Sequence, residues 1–125
     1  MPLNNQSKPI YELKAGLFKA LSHPIRIRIL ELLSDGKEHS VAELQEIMEL
    51  EASHLSQHLA VIRRYQLVVS ERRGSHVFYR IAYPQVSEFL HVARELLEEI
   101  LHDNANQRDT AASMDSVPSQ KDTTR

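Results

Sequence analysis

Along the first half of the chain, apolar residues recur at steps of three and four. From Ile10 they fall at Leu13, Leu17, Phe18 and Leu21, the spacing of a helix with one buried face. Ser22-His23-Pro24 breaks the run, and Pro24 suits the first position of a second helix. There Ile25, Ile29, Leu32 and Leu33 share a face, and Ile27 and Leu30 widen it. A helix apolar on most sides is buried on most sides. Asp35-Gly36 ends it. Ser40-Val41-Ala42-Glu43 has the S-x-x-E form of a capping box and opens a third helix, with Val41, Leu44, Ile47 and Met48 apolar. Glu49-Leu50-Glu51 connects it to a fourth, from about Ala52 to Tyr65, with Leu55, Leu59 and Ile62 inward. Two short helices joined by about three residues fit a helix-turn-helix, with a plain helical hairpin in a bundle as the alternative.

The period then changes. Leu67-Val68-Val69-Ser70-Glu71-Arg72 and Val77-Phe78-Tyr79-Arg80-Ile81 are β-branched and aromatic, and Arg73-Gly74-Ser75-His76 lies between them. Gly74 supplies the positive φ that a tight hairpin needs. A lone two-stranded hairpin is marginal in water, so it must pack on the helices. Pro84 opens a last long helix reaching about Asp103. Its apolar positions are Val86, Phe89, Leu90, Ala93, Leu96, Leu97, Ile100 and Leu101. A single small domain has little surface left to cover so broad a stripe, which points to self-association. The expected dimer interface is Leu13, Leu17 and Phe18 of the first helix with Phe89, Leu90, Ala93, Leu96, Leu97 and Ile100 of the last. Packing of that stripe within the chain is the alternative. The fold class is thus mainly α (α+β), a winged helix-turn-helix of order α1-α2-α3-α4-β-β-α5. Three segments are expected: a flexible N-terminus over 1–9, the winged domain over 10–103, and a disordered polar tail over 104–125.

With 125 residues the chain has room for one core and a tail. It contains no Cys, which excludes disulfides, thiolate metal sites and thiol redox sensing. No apolar run approaches the roughly 18 residues of a membrane span. Met1-Pro2-Leu3-Asn4-Asn5-Gln6 lacks the apolar stretch of a signal peptide, so a cytoplasmic protein is expected. The net charge of −2 argues at first against a nucleic-acid partner. It is unevenly spread, however: residues 52–83 hold five Arg and one Glu, a local +4 between acidic flanks.

That basic segment carries the candidate chemistry. With Leu55, Leu59 and Ile62 facing the core, Ser53, Ser56, Gln57 and Ala60 fall on or near the opposite face. A recognition helix presents its N-terminal half to the major groove, where Gln pairs with adenine and Ser bonds either partner. Arg63 and Arg64 follow within reach of phosphates, and Arg72, Arg73, Ser75, His76 and Arg80 form a basic β-ribbon. The expected DNA-binding set is Ser53, His54, Ser56, Gln57, His58, Arg63, Arg64, Arg72, Arg73, Ser75 and His76. A solvated polar face and a charge-protected strand edge are the plainer readings. His54 and His58, four apart, could chelate but lack matching acidic or thiol ligands, and His91 and His102, eleven apart, are weak metal candidates that could form an intersubunit site with Asp103 as a further ligand. No cofactor is expected. With three Gly in the chain and no activated nucleophile, neither a nucleotide cradle nor an enzyme site is expected.

Three motifs resemble one known family. Leu17-Phe18-Lys19-Ala20-Leu21-Ser22-His23-Pro24-Ile25-Arg26-Ile27-Arg28-Ile29-Leu30 resembles the "ALSHPxRxxIL" opening of ArsR/SmtB-type repressors. Ser53-x-x-Ser56-Gln57-His58-Leu59-x-x-Ile62 is similar to their recognition helix, and Arg72 through Ile81 to their wing. The likeness covers residues 10–102. It implies a homodimer through the first and last helices, and a repressor on a palindromic operator, released by an effector. The family's metal sites do not carry over. Its thiolate site needs Cys where this chain has Glu43-Leu44-Gln45-Glu46. Its other site aligns with Tyr83, Gln85, Leu96 and Glu99, of which only Glu99 is a ligand type, and His91/His102 is six residues out of register. The opening Tyr11-x-Leu13-Lys14-Ala15 is similar to Cys-free actinobacterial members. The expected function is therefore a homodimeric regulator of double-stranded DNA with an unidentified effector. A winged-helix protein-interaction module and a His-based metal sensor remain as alternatives.

Overall fold

The computed structural model describes residues 9–114, with side chains to residue 107. Residues 1–8 of the expected flexible N-terminus (1–9) and residues 115–125 of the expected tail lie outside the described residues. The chain divides after Leu90 into two units.

In the first unit, helix α1 (Ile10–Ala20) leads to α2 (Pro24–Leu32). Pro24 occupies the first turn of α2, and the His23 ring caps it by accepting the Ile25 N–H at 3.1 Å. The next turn, Leu33–Asp35, is a 3₁₀ turn closed by Gly36 at φ 81°. A short strand β1 (His39–Ser40) follows, then α3 (Val41–Met48) and α4 (Ala52–Arg64). Ser40 Oγ accepts the Glu43 N–H at 3.0 Å, one half of the expected capping box. The Glu43 carboxylate does not return to the Ser40 backbone; it takes a hydrogen bond from His39 Nδ1 at 2.8 Å.

The turn between α3 and α4 has a defined backbone. Glu49 adopts the left-handed region at φ 56°, and the Leu50 N–H returns to the Gln45 carbonyl at 3.4 Å. Helix α4 ends the same way. Gln66 is left-handed, and Leu67 and Gln66 N–H groups return to the Ile62 and Arg63 carbonyls at 2.9 Å each. These reversals fix the direction in which α4 projects.

Strands β2 (Val68–Arg73) and β3 (His76–Ile81) pair antiparallel, with Arg73 opposite His76 across Gly74-Ser75. Gly74 has φ 63° as the first of two loop residues, the position where a tight primed turn requires glycine. The sheet has three strands rather than the expected two, in the order β1-β3-β2. His39 pairs with Tyr79 and Ser40 with Phe78. The extra strand anchors the hairpin to the helices, which answers the marginal stability of an isolated hairpin.

The core of this unit contains Ile29, Leu30, Leu33, Leu44, Leu55, Leu59, Ile62 and Val68, all fully buried. It draws on both helices of the helix-turn-helix, on α2 and on the sheet. Leu90 is buried with them. Leu90 therefore belongs to the chain's own core and leaves the expected dimer set: the first turns of the last helix pack inward before its apolar stripe becomes exposed.

That helix, α5 (Pro84–Met114), runs eleven residues past the expected end at Asp103. Residues 104–114 are thus helical rather than part of a disordered tail. Their polarity hid this, since Asn104, Ala105, Asn106 and Gln107 offer no apolar stripe. Between His91 and Leu101, α5 exposes Val92, Leu96, Leu97, Ile100 and Leu101. No helix among the described residues is long and apolar enough to cross a membrane.

Candidate nucleic-acid interface

Helix α4 separates its two faces as its spacing demands. Leu55, Leu59 and Ile62 are buried, while Ser53, His54, Ser56, Gln57, Ala60, Arg63 and Arg64 are exposed. The exposed N-terminal half therefore offers two hydroxyls, an amide and an imidazole on one surface. Its two arginines follow in the last turn, where they also complement the helix dipole. Glu51 caps α4 without a side-chain hydrogen bond.

His58 is not on that surface. It is only 8% exposed, and among the described residues it is the one buried polar side chain. The expectation that it contacts DNA is corrected by its register: three residues after Leu55 and four before Ile62, it faces inward. Its ring lies 4.3 Å from that of His23 and 5.2 Å from that of His54, centroid to centroid. Burial first, then the neighbours His23, Arg26 and His54, hold its pKa below the ordinary histidine value.

On the wing, Arg72, Ser75, His76 and Arg80 are exposed. Among the described residues neither they nor Arg63 and Arg64 form an ion pair. Arg73 differs. Its guanidinium pairs with Glu38, lies 3.8 Å from the Glu71 carboxylate, and sits over the Phe78 ring at 4.1 Å. Glu38 precedes β1, so this contact ties the wing to the start of the helix-turn-helix. The sequence marked Arg73 as basic and gave no sign that its charge is taken, because Glu38 lies 35 residues away.

A second cluster escaped the sequence reading. His39 donates from Nε2 to Asp35 and from Nδ1 to Glu43, each at 2.8 Å. Burial lowers its pKa, but the two carboxylates more than offset this and the net shift is upward. The Lys37 N–H, and then His39, hold the Asp35 carboxyl below its ordinary value. The spacing of four on either side of His39 was the available signal.

The remaining expected residues are dispersed. Leu13 and Leu17 are half-buried, whereas Phe18 and Phe89 are exposed and pair at 5.6 Å. Ala93, Leu96, Leu97 and Ile100 are exposed on α5. His91 pairs with Glu95 at 3.3 Å and His102 with Asn106 at 3.1 Å, each within its own turn of helix. No group of three or more His, Asp or Glu able to hold a metal occurs among the described residues.

A helix-turn-helix (α3 and α4) packed on α2, with a polar outer face on α4 and a basic β-ribbon beside it, defines a winged helix-turn-helix DNA-binding regulator. Residues 23–70 match the family described as bacterial regulatory protein, arsR family. The chain is 48% identical over 99 residues to the uncharacterised HTH-type transcriptional regulator Rv0081 of Mycobacterium tuberculosis, covering 78% of this chain and 86% of that protein. The crystal structure of Rv0081 superposes with a TM-score of 0.72 over 79% of this chain and 99% of that one. The transcriptional activator HlyU of Vibrio cholerae is 38% identical over 96 residues, 76% of this chain and 88% of that one. A homodimeric winged helix-turn-helix DNA-binding domain from Mycobacterium bovis, solved by NMR, matches with a TM-score of 0.65 at 26% identity, over 76% of this chain and 90% of that one. The chain belongs to the ArsR family of transcriptional regulators, which are not enzymes.

Proposed function

We propose that the chain is a homodimeric, sequence-specific repressor that reads a palindromic operator in double-stranded DNA. The observation that carries this is the exposed face of α4: Ser53, His54, Ser56 and Gln57 stand free on a helix whose other face is locked into the core. Short hydroxyls and a bidentate amide suit base edges in the major groove. Arg63, Arg64, Arg72, Ser75 and His76 flank that face and supply phosphate contacts. Two copies related by a two-fold axis would place their α4 helices about 34 Å apart, one helical turn of DNA.

Self-association is supported by the exposed apolar side chains. Phe18 and Phe89 lie in the first unit, and Ala93, Leu96, Leu97 and Ile100 along the rest of α5. An exposed stripe of that extent is unusual for a monomer. The homodimeric M. bovis domain supports the same assembly. Repression is read as occupancy of the operator by the α4 face and the wing. Such a protein acts most simply by occupying its site, in the cytoplasm where the DNA is. The effector that releases it is of unassigned chemistry.

Selection of bound fragments from genomic DNA tests the proposal. The expected outcome is enrichment of a short inverted repeat upstream of genes whose transcription rises when the protein is removed. Transcription that falls would make the protein an activator. No enrichment over random fragments, with capture of a protein instead, would favour a winged-helix interaction module. Release of the selected DNA by Zn²⁺ or Ni²⁺, lost on His91→Ala plus His102→Ala, would favour a metal sensor.

A further inference from the structure

One group on the recognition helix has no place in DNA contact: the buried His58. It sits where three elements meet. Arg26 of α2 donates from Nε to the Ala20 carbonyl at 2.7 Å and from NH2 to the Lys19 carbonyl at 3.4 Å, the two last positions of α1. Its NH1 then donates to His58 Nδ1 at 3.4 Å. His23, whose Nδ1 caps α2, lies against the His58 ring, and His54 approaches from one turn earlier on α4. A relay of polar contacts therefore runs from the end of α1 through Arg26 to the recognition helix.

The groups that lower the His58 pKa include one fixed cation, Arg26, and no carboxylate. The groups facing His58 are Arg26 on α2, His23 at the junction of α1 and α2, and His54 on α4 itself. Among the described residues, none of these four groups forms an ion pair with a carboxylate. Nδ1 of His58 receives a guanidinium N–H, so it must be an unprotonated acceptor. A proton placed there would set one donor against another and one cation against a fixed second cation. Contrast His39, whose two nitrogens both donate to carboxylates and which is built to be charged. An open cleft beside His23, lined also by Pro24, Arg28 and the Glu31 carboxylate, borders the cluster.

We propose that neutral His58 is a positioning residue that seats the recognition helix on the α1–α2 elbow, so that DNA binding is lost when His58 takes up a proton. His58 touches no base or phosphate in this scheme; it acts through the placement of Ser53, Ser56 and Gln57. Protonation weakens the contact to Arg26 and repels α4 from its seat. The lowered pKa puts the transition below the ordinary histidine value of about 6.5. The effect opposes the ordinary one, in which acid strengthens DNA binding by charging exposed histidines.

The proposal rests on α4 as the reading helix, and its test has one arm that needs no DNA. In the free full-length protein, the His58 ring is followed by NMR from pH 8 to pH 5, together with hydrogen-exchange protection of the α4 amides. The expected result is a His58 midpoint below 6.5, with α4 protection falling through the same range while the amides of α2 hold. In the second arm, the duplex recovered by genomic selection is titrated with wild type and with His58→Asn, whose amide oxygen keeps an acceptor near Nδ1 but cannot titrate. Wild type should lose about tenfold in affinity per bound copy for each pH unit below the midpoint, hence about a hundredfold for a dimer that uses both α4 helices, relative to the variant. A His58 midpoint at or above 6.5, or equal pH profiles for the two proteins, would overturn the proposal. If His58→Asn does not fold, the NMR arm decides it alone. Failure to bind DNA at any pH, with the NMR result intact, would indict the reading of α4 and leave the seat in place.

Discussion

At the scale of single residues, the basic segment separates into free and occupied charges. Arg72 is exposed and unpaired among the described residues, whereas Arg73 is held by Glu38 and Phe78. Each neutralised phosphate contributes about 0.9 to the slope of log affinity against log salt. Arg72→Gln should therefore lower that slope by about one, and Arg73→Gln should leave it nearly unchanged. Glu38→Gln should raise it by about one, as the freed guanidinium finds a phosphate. Titration of random-sequence duplex DNA against salt measures all three; a slope that falls equally for Arg72→Gln and Arg73→Gln would show that Arg73 leaves Glu38 for DNA. Gln57 belongs to the other category. Gln57→Ala should cost about 1–3 kcal/mol on the selected site and almost nothing on random duplex. An equal loss on both would remove it from base readout.

Local pattern was enough for most elements, and its failures are physical. The inward stripes of α2, α3 and α4, the proline at the start of α2 and of α5, and the glycine of the hairpin were all legible, because each is enforced within a few residues. Strand β1 was not legible: two residues carry no period, and its partner Tyr79-Phe78 lies some forty residues on. The end of α5 was lost because helix propensity continued after the apolar stripe stopped. The position of His58 was present in the spacing, between Leu55 and Ile62, but the polarity of the residue drew it to the wrong face. Polar pairs between distant segments, such as Glu38 with Arg73 or Arg26 with His58, leave no local trace at all. The clasp of Asp35, His39 and Glu43 joins the 3₁₀ turn, β1 and α3, and it makes a prediction at this scale. The His39 pKa is raised on folding, so its stabilising effect is complete below about pH 6.5 and is lost as pH rises through the folded value. Urea midpoints of wild type and His39→Gln should differ most near pH 6 and converge toward pH 9. A gap that stays constant would mean that the imidazole acts by packing alone.

For the whole molecule, a net charge of −2 is misleading as an average. The positive excess is confined to residues 52–83, which hold α4 and the wing, and a dimer would present it twice along one face of DNA. The acidic excess lies in the flanking segments. The 125 residues contain no Cys, so the proposed release would not act through a thiolate of this chain. The seat of His58 offers proton uptake as one signal that needs no ligand. All of this depends on the chain reading a specific sequence as a pair. That is tested most directly by titrating the selected duplex and a scrambled duplex of the same length, at one fixed salt concentration, with the stoichiometry determined by mass. The account predicts two chains per selected duplex and an affinity at least about a thousandfold above the scrambled one. Equal affinities for the two duplexes, or one chain per selected site, would contradict it.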